Sequence, residues 1–95
     1  MINTGMLTAA IQSMPRLFDA HDVINEVGHR NQRDYIEQLS SNKDRFPFNT
    51  VHSELGRQIK DICLSLGYEQ VDQPDYRSKD IFRHSSLCNL WRKRI

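Results

Sequence analysis

A chain of 95 residues, 38% hydrophobic and 26% charged, with 13 basic against 12 acidic side chains, fits one globular domain over 1–95 and excludes a disordered, self-repelling polyelectrolyte. No run approaches the roughly 20 apolar residues that a membrane-spanning helix needs, so no membrane partner is expected. Cys63 and Cys88 make no CxxC pair and the first residues form neither a basic nor a continuous apolar segment, so the expectation is a cytoplasmic protein with reduced thiols.

Leu7, Ala10, Ile11 and Met14 recur at helical spacing and predict a first amphipathic helix over 3–14, stopped by Pro15. In the segment 17–28, Asp19 is suited to cap a second helix, with Asp22 in its first turn and Val23, Ile24 and Val27 as its apolar stripe. Gly28 is the expected stop. Asn31 then caps a short third helix, 32–41, with Tyr35, Ile36 and Leu39 inward, followed by a polar loop over 40–45.

The fourth helix is the most strongly patterned. Asn49 or Thr50 can cap it, Val51, Leu55, Ile59, Ile62 and Leu66 step along one face, and Gly67 ends it. Gly56 inside it costs about 1 kcal/mol relative to alanine. Beyond Gly67 the period changes: residues 68–71 alternate as a half-buried strand does, and 72–75 have turn composition. Two further short runs, 80–84 and 89–93, read as strands separated by Ser85, Ser86, Leu87 and Cys88.

The fold class expected is therefore mainly α with a small β-hairpin or sheet (α+β). Charge is uneven along it. Residues 77–95 carry +5 and residues 1–76 carry −4, a basic end on an acidic body.

Three helices, a long amphipathic helix, a strand from Leu66-Gly67-Tyr68-Glu69-Gln70-Val71 and a basic hairpin ending Leu90-Trp91-Arg92-Lys93 resemble winged helix-turn-helix DNA-binding domains in element order. Phe18-Asp19-Ala20-His21-Asp22-Val23-Ile24 resembles the lead-in to the second helix of such domains, and Leu66-Gly67-Tyr68 the step from recognition helix to wing. The resemblance covers about four fifths of the chain by arrangement. The helix at 32–41 is additional to the usual plan, and it leaves two segments, 50–66 and 32–41, open as the recognition helix.

The resemblance implies a module that binds double-stranded DNA, a transcriptional regulator or accessory factor, with a homodimer or a protein partner as a further expectation. Groove readers need donors opposite the core stripe and cations for phosphate. On the fourth helix His52, Ser53, Arg57 and Lys60 lie off the apolar stripe. Arg57 suits a guanine edge, while Lys60 and Ser53 suit phosphate. The plainer reading of Arg57 and Lys60 is a solvated face paired with Glu54 and Asp61. Arg77, Lys79 and Arg83 before the final turn, and Arg92, Lys93 and Arg94 after it, are expected to converge as a phosphate clamp. Phe82 and Trp91 suit base stacking, although a single tryptophan in a small domain is more often core.

No catalytic centre is expected. His84 and Cys88 lack the further pair that a structural zinc site requires, so neither metal nor cofactor is expected, and Cys63 reads as a small core residue. His21, His29 and His52 show no spacing of acid, base and nucleophile, and the enzymatic alternative, a metal-free nuclease on His52 and His84, has no motif behind it. The alternative from another class is a protein-interaction or self-assembly module on the same scaffold without nucleic acid. Its motive is the acidic surface around Asp19, Asp22, Glu26, Asp34 and Glu37.

Overall fold

The computed structural model describes residues 1–41, 47–73, 76–79 and 85–94, with the backbone alone at 48, 85 and 86. The described residues form α1 (Thr4–Ser13), β1 (Leu17–Asp19), α2 (Ala20–Arg30), α3 (Gln32–Ser41), α4 (Pro47–Ser65), β2 (Glu69–Val71), β3 (Arg77–Lys79), β4 (Ser85–Leu87) and β5 (Leu90–Arg92). The fold is mainly helical with a small antiparallel sheet, an α+β arrangement.

Local chemistry explains where the helices begin and end. Asn3 caps α1 by accepting from the Met6 N–H. Asp19 and Asp22 form a reciprocal capping box at α2, each side chain accepting the other's backbone N–H. Pro47 opens α4, where a missing N–H is harmless. Gly67, at φ 77°, closes it: its N–H donates to Leu64 C=O and the Tyr68 N–H to Cys63 C=O, the paired bonds of a Schellman motif.

Leu7 and Ile11 of α1, Val23, Ile24 and Val27 of α2, Tyr35 of α3, and Val51, Leu55, Ile59 and Cys63 of α4 meet in one core. The sheet closes its other side. β5 lies between β1 and β2 in the order β1-β5-β2, and Phe18 pairs in register with Trp91, both essentially fully buried. Removing side chains of this size from water contributes about 1.5–3 kcal/mol each. The chain between β2 and β5 projects as a second antiparallel pair, β3 with β4, whose register aligns Arg77 with Leu87 and Lys79 with Ser85.

Several expectations need correction. Gly28 does not stop α2; it is buried inside the helix, which runs on to Arg30 and is closed by Asn31, whose backbone and side-chain amides both donate to Val27 C=O. Leu17–Asp19 forms a strand that alternation over three residues could not reveal. Ile36 faces outward, 60% exposed, and Gln38 takes an inward place because its Oε1 accepts the Ile2 N–H at 2.9 Å. Leu66 falls past the end of α4 and is partly exposed. Of the loop expected over 40–45, residues 40 and 41 belong to α3, and residues 42–45 lie outside the described residues. Strands at 69–71 and 90–92 lie where the pattern put them, but β3 was not expected, and β4 occupies residues read as a separator. The strand expected over 80–84 lies outside the described residues. Among the described residues no helix is long and apolar enough to cross a membrane.

Candidate nucleic-acid interface

Asn49, His52, Ser53, Gly56, Arg57 and Lys60 line a groove of about 940 Å³, while Glu54, Gln58 and Asp61 lie outside it, Glu54 and Asp61 being one helical turn from Arg57 on either side. The opposite wall comprises Gln70 and Val71 of β2 with Asp72 and Gln73 after it, and Leu87 of β4 with Cys88 and Asn89 after it. The head of α2, at Ala20, His21 and Ile24, closes the end. Of the two helices that the sequence left open, α4 is the one that lines this groove.

Arg57 and Lys60 are exposed cations on the groove wall, and Asp72 is the one carboxylate among the described lining residues. The ion pairs among the described residues are Met1 with Asp34, Arg30 with Glu26 and Arg92 with Glu69, so neither Arg57 nor Lys60 forms a direct pair with Glu54 or Asp61. Gly56 lies between these cations and His52, and a Cβ built there would meet nothing within 4 Å. The fold does not require a glycine at this position; its effect is a bare strip of helix backbone on the groove wall. His52 is half-buried, with its Nε2 2.6 Å from the Tyr35 hydroxyl, so α3 orients the imidazole.

On the hairpin, Arg77 and Lys79 point to the same face as Leu87 by strand alternation, and Leu87 lines the groove. Both cations are exposed. The structure therefore brings His52, Ser53, Arg57 and Lys60 of α4 together along one groove, while Arg77 and Lys79 are exposed on β3 and are not among the residues that line it. Arg83 lies outside the described residues, as do Phe82 and His84.

Arg92, Lys93 and Arg94 do not join them. β5 runs away from the hairpin, and five residues of extended chain from Leu87 to Arg92 span on the order of 15 Å. Arg92 donates through Nε and Nη2 to Glu69 on the neighbouring strand, at 3.3 and 3.0 Å. Lys93 reaches the carbonyls of Gln12 and Met14 at the end of α1 and lies 5.9 Å from the Tyr68 ring centroid. Arg94 is exposed at the same end. Of the residues expected in the clamp, Arg92 and Lys93 are thus engaged within the fold, with Glu69 and with the end of α1. Trp91 is core and is not presented to a ligand.

At the root of the hairpin lies a polar junction with α2 that no pattern in the sequence signals. The Tyr76 hydroxyl donates to Asp19 Oδ2 at 2.7 Å, and the His21 Nδ1 lies 2.6 Å from Ser78 Oγ. Burial and the Asp19 carboxylate push the Tyr76 phenol above its ordinary range. Burial also raises Asp22, which the Asp19 charge raises further although the Asp19 N–H opposes it. No single stretch could signal this junction, because its parts come from residues 19–22 and 76–88.

No protein-family model, curated protein or solved structure matches this chain.

Proposed function

We propose that the chain is a winged-helix module that binds double-stranded DNA, with α4 as its recognition helix and the β3–β4 hairpin as its wing. The observation that supports the reading best is the lining of the groove by α4: Arg57 and Lys60, neither of them in an ion pair with a described carboxylate, line it together with His52 and Ser53, and Glu54 and Asp61 do not. The element order, the strand order β1-β5-β2 and a hairpin between β2 and β5 support it. Cations and donors on the helix wall of the groove, with exposed Arg77 and Lys79 on the neighbouring hairpin, are the chemistry that groove readout and backbone positioning use. A role in transcription regulation, as regulator or accessory factor, and a cytoplasmic location belong to the same proposal.

The alternative of a protein-interaction or self-assembly module has less behind it. It relied on a free acidic surface, yet Asp19 and Asp22 are engaged in the capping box, Glu26 with Arg30 and Asp34 with the terminal amine.

Fluorescence anisotropy with a labelled duplex tests the reading. Contacts from Arg57, Lys60, Arg77 and Lys79 to about four phosphates give log affinity a slope near −4 against log salt. The variant Arg57→Ala with Lys60→Ala is expected to reduce both affinity and slope. Binding that is absent at low salt, or unchanged in that double variant, would remove the proposed surface.

A further inference from the structure

The junction between α2 and the hairpin holds a second constellation, distinct in chemistry from the cationic face of α4. Asp19 closes β1, His21 stands in the first turn of α2, and Cys88 joins β4 to β5. Their ligand atoms all lie within 4.8 Å of one another. A carboxylate oxygen, an imidazole nitrogen and a sulfur form a donor set that suits borderline-soft divalent ions; magnesium and calcium take oxygen ligands alone.

Each of these side chains is already oriented. Asp19 is 3% exposed, with Oδ1 accepting the Asp22 N–H at 2.8 Å and Oδ2 accepting the Tyr76 hydroxyl at 2.7 Å. Each carboxylate oxygen has a further lone pair beyond these bonds. The His21 ring is held at Ser78, whose Oγ also lies 3.6 Å from Cys88 Sγ. Hydrogen bonds to groups outside the ligand set are what fixes ligand direction in metal sites.

The Asp19 carboxylate is buried and Cys88 is half-buried beside it. A thiolate beside that carboxylate would place two negative charges in a half-buried space, and a divalent ion neutralises both.

We propose that Asp19, His21 and Cys88 form a zinc-type metal site that ties the hairpin to the head of α2, with solvent as the fourth ligand. On binding, Zn²⁺ displaces the thiol proton of Cys88, which is released to solvent, and the two anionic ligands balance the charge of the ion. The protein ligands come from opposite ends of the chain, so the ion would restrain the wing relative to the helices.

Cobalt titration of the full-length, EDTA-treated protein near neutral pH tests this proposal. Expected are a near-ultraviolet thiolate-to-cobalt charge-transfer band saturating at one equivalent, its loss on adding Zn²⁺, and a rise in Tm of about 4 °C or more with zinc. The band should vanish in Cys88→Ser, weaken in His21→Ala and persist in Cys63→Ala, which removes the buried thiol. Absence of the band in the unsubstituted protein, or its survival in a Cys88→Ser variant with native circular dichroism, would overturn the site. Stoichiometry and zinc competition are read on the unsubstituted chain, so misfolding of a variant leaves the test intact. DNA affinity plays no part in this measurement, so the metal site and the DNA reading stand or fall separately.

Discussion

The Lys93 ammonium donates to the Met14 carbonyl at 2.6 Å and to the Gln12 carbonyl at 2.9 Å, so a residue from the end of the sheet closes the C-terminus of α1. Helix ends leave carbonyls unpaired and carry partial negative charge, and a cation here satisfies both conditions. Lys93→Met is expected to cost about 1–2 kcal/mol, since bonds to charged groups are worth roughly 1.5–3 kcal/mol and this one is partly solvated. Urea denaturation checks the stability, and anisotropy should find DNA affinity unchanged.

Arg92 behaves similarly on a smaller scale. Its pair with Glu69 joins two half-exposed side chains across adjacent strands. Such pairs are worth at most about 1 kcal/mol and are screened by salt. Arg92→Ala should therefore lower Tm only slightly, the loss shrinking at high salt, and should leave the salt slope of DNA binding as it was.

Gly56 is expected to separate stability from binding. A Cβ at this position meets no neighbour, and alanine is the better helix former by about 1 kcal/mol. Gly56→Ala should raise the urea midpoint while weakening duplex binding several-fold, because a methyl group would stand where the groove wall is bare backbone. Equal or tighter DNA binding by the stabilised variant would show that no ligand approaches that strip.

Asp19 serves two elements at once, capping α2 and accepting the Tyr76 hydroxyl. Losing a cap costs about 0.5–2 kcal/mol, and leaving a partly buried hydroxyl without its acceptor adds about 1–3 kcal/mol. Asp19→Ala is expected to cost about 2–4 kcal/mol, Tyr76→Phe about 1 kcal/mol, and the double variant less than the sum. Chemical denaturation of all four proteins gives the coupling directly.

Alkaline pH should destabilise the fold through buried neutral acids. Burial pushes the Cys63 thiol from 9.0 up to about 11, with Lys93 opposing weakly, and Tyr76 is raised above 10.0. The unfolded chain ionises first in each case. The Cys63 contribution is whole below pH 9 and is lost as pH climbs through about 11, whereas the Tyr76 contribution is whole below pH 10 and is lost only above it. Thermal melts from pH 8 to 11 should show that decline, with Tyr76→Phe flattening its upper part. In the same range Cys63 should resist alkylation until the protein unfolds.

Periodicity carried the helices because their stripes report one-sided burial directly: Leu7 and Ile11, Val23 and Val27, and Val51, Leu55 and Ile59 all reach the core. The stop at Gly67 and the cap at Asp19 were legible for a similar reason, since each satisfies backbone groups within a few residues of itself. The strands were harder to read. Three residues contain too little alternation to register, and pairing partners such as Phe18 and Trp91 lie far apart along the chain.

By itself, then, the amino-acid order determined a mainly helical α+β fold, its capping chemistry, its apolar stripes and the polar residues of α4 that lie off its stripe. Tertiary structure decided what those and the later cations meet. It set Arg57 and Lys60 along one groove, turned Arg92 to Glu69 and Lys93 to the end of α1, and joined Asp19, His21 and Cys88. Local patterns follow from bonds made within a turn or two, whereas the partner of a long charged side chain depends on which distant segment the sheet lays beside it.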